Sequence, residues 1–187
     1  MQALTREKLL AELSKVHEIV NHYQSGSRQF ADLTLKWLQE VEQCLQQLRN
    51  PAAAAVTAAK ARLLAVSDGH REPSLAASSS SSRKAGNATA ALVLNHMVEL
   101  LQGIIADIDA KLDSHREKIA QLLALASSKN PIPLPQNETR RTWLQQVWKS
   151  LGSYQETLSM YLYLQASLSA SDRRYILEEM LDRLFAE

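Results

Sequence analysis

Between residues 91 and 126 the chain reads ALVLNHMVELLQGIIADIDAKLDSHREKIAQLLALA, and its apolar side chains recur at alternating spacings of three and four residues. The stripe consists of Ala91, Leu94, Val98, Leu101, Ile105, Ile108, Leu112, His115, Ile119, Leu122 and Ala126. This spacing places side chains on one face of an α-helix and is the heptad pattern of helices that pack side by side. The pattern predicts one long amphipathic helix from about Thr89 to Ser127, with His115 as its one polar seam residue.

A second heptad stripe occupies the first fifty residues. It consists of Leu9, Leu13, Val16, Val20, Tyr23, Ser27, Phe30, Thr34, Trp37, Val41, Cys44 and Leu48. Because the phase of the stripe survives the Ser25-Gly26-Ser27 segment, the pattern favours one helix over about residues 4–49. A helical hairpin that turns at residues 25–27 is the alternative. Asn50-Pro51 ends the helix, since the residue before a proline avoids helical geometry.

The rest of the chain also favours helix. Residues 52–66, AAAAVTAAKARLLAV, have very high helix propensity, and three shorter amphipathic segments follow the prolines of residues 131–135. Glycine and proline number five each, too few for the frequent turns of a β-protein. Two matched heptad helices are expected to pack antiparallel at a small crossing angle. We therefore predict an all-α protein, an elongated antiparallel helical bundle or coiled coil with a small C-terminal helical module.

The domain organisation is predicted from a change in composition. Residues 68–88 include the serine run of residues 78–82, and Leu75 is their one large apolar side chain. This composition cannot bury a core and is typical of a flexible linker. We expect residues 1–67, the long helix and the Ala-rich helix, to pack with residues 89–187 as one domain.

The totals exclude several classes of protein. The formal net charge is +1, whereas a general nucleic-acid coat carries a large positive excess. Cys44 is the one cysteine, which excludes an intramolecular disulfide. Charges are interspersed through the N-terminal segment MQALTREKLLAELSK, unlike a signal peptide, and no run of 18 uncharged apolar residues occurs. We therefore expect a cytoplasmic protein without membrane contact.

No motif for catalysis, cofactor binding or metal binding occurs in the sequence. The five histidines form no HExxH pair, and the phosphate-binding and nucleophile motifs GxxxxGK[ST], GxGxxG and GxSxG are absent. His115 can fix the register of a helix pair, or it can act as a base or pH switch. Because no nucleophile or carboxylate can be assigned to it, the structural role is favoured. We expect no enzymatic activity, no cofactor and no metal.

Basic and aromatic residues toward the C-terminus are the candidates for a binding site. They are Arg140, Arg141, Trp143, Trp148, Lys149, Arg173 and Arg174. Arginine with aromatic side chains can hold phosphates and stack on bases, but the favoured interpretation is that the tryptophans are core residues and the arginines are solvated. Adjacent arginines on a helix point about 100° apart, so the set cannot all face one ligand.

The leading hypothesis for function is protein–protein interaction. Long heptad helices expose much surface for their volume, so a protein partner or a second copy is expected to cover part of it. The chain is then a non-enzymatic scaffold or accessory subunit of a larger cytosolic assembly. The alternative is a helical nucleic-acid-binding subunit that uses the basic and Trp-containing segment 128–150.

Overall fold

A computed structural model describes residues 1–68, 70, 82–132 and 139–186, and all regular structure in these ranges is α-helical. The helices are α1 (Gln2–Ser14), α2 (Val16–Gln24), α3 (Phe30–Gln47), α4 (Ala53–Ser67), α5 (Ser82–Lys129), α6 (Arg140–Leu151), α7 (Gln155–Ser167) and α8 (Ala170–Ala186). The predicted all-α helical bundle is confirmed.

The chain divides into two compact units. One contains Met1–Leu4 and Asp107–Glu187, and the other contains Thr5–Ala106. The division falls inside α1 and inside α5, so each of these helices contributes to both units. The expected packing of residues 1–67 with residues 89–187 as one domain, with antiparallel long helices, stays a prediction.

The single helix predicted over residues 4–49 is wrong, and the hairpin alternative describes this region better. Gly26 adopts a φ of +66°, a left-handed conformation that ends α2 and that glycine adopts at little cost. The Ser27 N–H then donates to the His22 carbonyl at 3.0 Å, which closes the turn.

Helix α3 carries the core of the Thr5–Ala106 unit. Its buried residues are Phe30, Thr34, Trp37, Leu38, Val41 and Leu45. The buried face shifts from the predicted Cys44 to Leu45 because a straight helix repeats every 3.6 residues rather than every 3.5. The Trp37 indole N–H donates to the Glu12 carbonyl at 2.9 Å, where α1 ends, and this bond ties α3 to α1. Helix α4 packs on α3 through Val56, Ala59 and Leu63.

Helix α5 begins at Ser82 rather than at Thr89, so the predicted linker over residues 68–88 is wrong in its last part. Ala85 and Ala88 have high helix propensity, and lengthening an existing helix avoids the cost of a new helical nucleus. Residue 69 and residues 71–81 lie outside the described residues. The predicted stripe is largely confirmed. Its buried members are Leu94, Leu101, Ile105, Ile108, Leu112, Ile119, Leu122 and Ala126.

By length and composition alone, the Lys84–Lys129 part of α5 is apolar enough to cross a membrane. Of its most apolar stretch, 39% is buried inside the protein. One such helix is weak evidence, since the core helix of a soluble protein passes the same test. The absence of membrane contact stays a prediction.

Helices α6, α7 and α8 pack against one another as the C-terminal module. The Thr139 side chain accepts a hydrogen bond from the Thr142 N–H and caps α6. The apolar faces of the three helices meet in a common core. Its members include Trp143, Leu144, Val147, Leu151, Leu164, Ile176, Leu177 and Leu181.

Replacing Leu101 by aspartate is expected to unfold the Thr5–Ala106 unit. Leu101 is 0% exposed, and an unpaired buried carboxylate costs several kcal/mol, comparable with a domain's whole stability of about 5–15 kcal/mol. Leu92→Asp on the same helix is the matched control, because Leu92 is 47% exposed. Thermal melts should show a cooperative transition for the Leu92 variant and none for the Leu101 variant. An unchanged melt for Leu101→Asp would contradict the buried seam.

Candidate functional site

One buried carboxylate organises the start of α8. Asp172 lies in the first turn of that helix, and its side chain is 3% exposed. It accepts hydrogen bonds from the N–H groups of Gln2 and Ala3 at 2.9 and 3.0 Å and from the Ser169 hydroxyl at 2.7 Å. The terminal ammonium of Met1 lies 2.8 Å from the same carboxylate. The carboxylate therefore satisfies the first donors of α1 while it anchors the start of α8.

The same donors determine the protonation of Asp172. Burial on its own would raise the pKa of this carboxyl, but the hydrogen bonds from Met1, Ser169, Ala3 and Gln2 outweigh burial and lower the pKa from 3.8 to about 2. Asp172 is thus ionised throughout the physiological range. Ser169 completes the arrangement by accepting a hydrogen bond from the Asp172 N–H at 3.1 Å, a capping box at the start of α8.

Asp172, Ser169 and Met1 were not among the sequence-predicted site residues. The signal for the first two is the Ser-x-x-Asp spacing of residues 169–172, which is a capping box with aspartate in place of glutamate. No local pattern could identify Met1, because its partner lies 171 positions along the chain.

Of the predicted site residues, Arg140, Trp143 and Lys149 do not line a shared cavity. The Arg140 guanidinium pairs with Glu178 at 3.1 Å and with Asp182, and its Cζ lies 5.0 Å from the ring centroid of Trp143. Hydrogen bonds to these two carboxylates raise the pKa of Arg140 further. Trp143 is 1% exposed and belongs to the core. Arg140 and Trp143 thus stabilise the packing of α6 on α8.

The other four predicted residues, Arg141, Trp148, Arg173 and Arg174, line one cavity of about 650 Å³. Leu144, Leu177 and the Trp148 ring provide its apolar surface, and residues 169–171 at the start of α8 contribute polar groups. We call this site the arginine cavity. Its volume lies within the range of about 300–1,000 Å³ that is typical of ligand sites.

The three guanidinium groups of the arginine cavity have no carboxylate partner among the residues that the structure describes. The other arginines around α8 are paired, since Arg116 contacts Asp113 and Glu179, and Arg183 contacts Glu179. Arg173 and Arg174 also lie near the positive end of the α8 dipole, which favours anions rather than cations. A negatively charged ligand would relieve both the mutual repulsion of the arginines and their repulsion by the helix.

The Trp148 ring contacts two neighbouring side chains. Its ring centroid lies 5.0 Å from that of Tyr161, and the Arg173 Cζ lies 5.2 Å from the Trp148 ring. The Trp148 indole N–H and the Arg173 Nε are buried, and no group in the described part of the chain accepts from them. The Arg173 guanidinium therefore covers part of the ring face on which a base could stack.

His115 and Cys44 are the remaining side chains with possible chemistry. His115 Nδ1 lies 2.6 Å from the Lys111 carbonyl, and its ring stacks on Tyr163 at 6.5 Å between centroids. Burial raises the pKa of the Cys44 thiol, which disfavours the nucleophilic thiolate. Among the described residues, no group of three histidine, cysteine or acidic side chains is placed to hold a metal ion.

No protein-family model, curated protein or solved structure matches the chain. The geometry of the arginine cavity is therefore the basis for the functional argument.

Replacing Asp172 by asparagine is expected to destabilise the protein by about 2 kcal/mol at neutral pH, because the lowered pKa of Asp172 corresponds to that much folding free energy. The folded-state pKa lies below the unfolded value, so this stabilisation is complete above about pH 4 and is lost as the pH falls toward 2. Denaturant unfolding of both proteins across this range measures the difference.

The control for this prediction is Asp182→Asn on the same helix. Asp182 is 57% exposed, and exposed ion pairs contribute only about 0–1 kcal/mol. A difference between wild type and Asp172→Asn that does not shrink with falling pH would show that the ionised carboxylate is not the stabilising group.

Proposed function

We propose that the protein is a non-enzymatic scaffold or accessory subunit of a cytosolic assembly, and that its C-terminal module binds an acidic segment of a partner protein. The supporting observation is the arginine cavity, in which Arg141, Arg173 and Arg174 surround one concave surface without internal carboxylate partners among the described residues. Complementary charge across an interface speeds association and rejects partners of the wrong charge.

The apolar surface of the cavity favours a peptide over a simple anion. Leu144, Leu177 and Trp148 lie beside the arginines, so acidic and apolar side chains of one segment can be bound together. Apolar anchors in a concave site surrounded by polar groups are the usual basis of protein recognition. Burying such anchors provides affinity, and the arginines provide selectivity for an acidic sequence.

Nucleic acid is the alternative ligand, and the surroundings of the tryptophans support it less. Base stacking needs an open aromatic face. Trp143 is buried, and the Arg173 guanidinium lies over the Trp148 ring. Arg140 is already paired with two carboxylates. The remaining arginines can still contact phosphates, so nucleic-acid binding is one outcome of the test below.

The test compares binding of acidic-apolar peptides and of single-stranded RNA to three forms of the protein. Arg141→Gln/Arg174→Gln is expected to weaken peptide binding by about tenfold or more, since a hydrogen bond to a charged group contributes about 1.5–3 kcal/mol. Lys149→Gln is the matched control, because Lys149 is exposed on the same helix as Arg141 but does not line the cavity. Fluorescence anisotropy at two salt concentrations measures the affinity of the protein for each ligand.

The outcomes distinguish the two ligand classes. Peptide binding that Lys149→Gln retains and the double variant loses supports the proposal. Tight, salt-sensitive RNA binding that the double variant loses, without peptide binding, supports the nucleic-acid alternative. If wild type binds neither ligand, the arginine cavity is not a recognition site for acidic segments.

A further inference from the structure

We infer that the anion recognised in the arginine cavity is a phosphate monoester, carried on a phosphorylated side chain of the partner segment. This inference rests on the proposed function and specifies its ligand. Three features of the cavity carry it: the number of guanidinium groups without a carboxylate partner among the described residues, the polar groups at the start of α8, and the internal neutralisation of Asp172.

The first feature is the number of donors. Arg141, Arg173 and Arg174 all line one cavity, Arg141 from α6 and the other two from α8. A side-chain carboxylate has one negative charge and two oxygens, which a single bidentate arginine satisfies. A phosphate monoester carries a charge of about −1.5 to −2 at neutral pH and three terminal oxygens, so it can accept from several guanidinium groups at once. The cavity therefore matches a phosphate better than a single carboxylate.

The second feature is the start of α8. Ser169, Ala170 and Ser171 line the cavity beside the arginines. The first N–H groups of a helix have no acceptor within the helix, and together with the dipole they attract phosphate oxygens. The Ser169 hydroxyl is already used, since it donates to Asp172 and accepts from the Asp172 N–H. Since the Asp172 N–H is also used, the N–H groups of Ala170 and Ser171 are the backbone donors that this helix start can offer to a ligand.

The third feature is that Asp172 does not cancel the positive charge of the cavity. Its carboxylate pairs with the Met1 ammonium at 2.8 Å and accepts from the Gln2 and Ala3 N–H groups. A carboxylate that is neutralised in this way repels an incoming phosphate only weakly. The three arginines therefore keep their full attraction for a dianion, although an acidic residue lies in the same helical turn.

The test uses the full chain and three degenerate peptide libraries that differ at one fixed position, which is phosphoserine, glutamate or serine. Fluorescence anisotropy should show the phosphoserine library binding about tenfold or more tightly than the glutamate library, because the phosphate engages at least one further charge-assisted hydrogen bond. The serine library should bind most weakly. A phosphotyrosine library measures whether the phosphate must be carried on a short side chain.

Two further variants locate the binding site and its geometry. Arg174→Lys keeps the charge but removes the planar fork, so it should reduce the preference for phosphoserine over glutamate by about tenfold. Lys149→Gln should leave that preference unchanged. Circular dichroism and thermal melts establish that each variant is folded, and Arg174 is exposed, so its replacement is tolerated structurally.

Each outcome supports or overturns the inference. Equal affinity for the phosphoserine and glutamate libraries overturns it and leaves the proposed binding of acidic segments intact. No binding of any library overturns both. A phosphate preference that survives Arg141→Gln/Arg174→Gln, or that Lys149→Gln removes, places the phosphate elsewhere and also overturns it.

Discussion

The Asp172 carboxylate is the interaction on which the C-terminal module depends. It holds Met1, Gln2 and Ala3 against the first turn of α8, so Met1–Leu4 belong to the same compact unit as Asp107–Glu187. A buried carboxylate is tolerated only when donors replace its lost water, and here the start of α1, the Met1 ammonium and the Ser169 hydroxyl provide them. Because Asp172 is bound to these donors, Arg173 and Arg174 beside it have no carboxylate partner among the described residues.

Charge is distributed unevenly along α8, and this distribution produces the arginine cavity. In its second half, Glu178, Glu179 and Asp182 each pair with an arginine. In its first half, Arg173 and Arg174 have no such partner among the described residues. The net charge of +1 is a sum over the whole chain. It therefore does not reveal the local excess of positive charge at the start of α8, where the arginines are not neutralised by the described residues. The local field, rather than the total, determines which ligand is attracted.

The sequence predicted which segments form helices better than it predicted where those helices end or which side chains they contact. Leu101 and Leu112 lie in the buried stripe of α5 because a period of three and four residues needs no tertiary information. The α2–α3 hairpin was ranked second to a single helix because a loop can preserve heptad phase by chance, and the conformational freedom of Gly26 was the stronger signal. Of the site residues, Arg140 and Arg141 are adjacent in sequence, yet one meets Glu178 while the other lines the cavity. Their separation depends on where α8 packs, which no local pattern contains.

Arg173 and Arg174, which have no carboxylate partner in the described part of the chain, break a local rule at a place where the fold could have followed it. Cations near the start of a helix oppose its dipole, and acidic residues one or two turns away could have neutralised Arg173 and Arg174. Those carboxylates instead pair with Arg116, Arg140 and Arg183. Natural chains depart from such rules mainly at functional sites and compensate elsewhere. Here the compensation is the Asp172 network, which keeps the helix start stable while three guanidinium groups stay available to a ligand. Asp172, which binds residues 1–3, lies in the same helical turn as Arg173 and Arg174 of the cavity wall. An anion bound in the cavity would therefore also change the hydrogen bonds of residues 1–3.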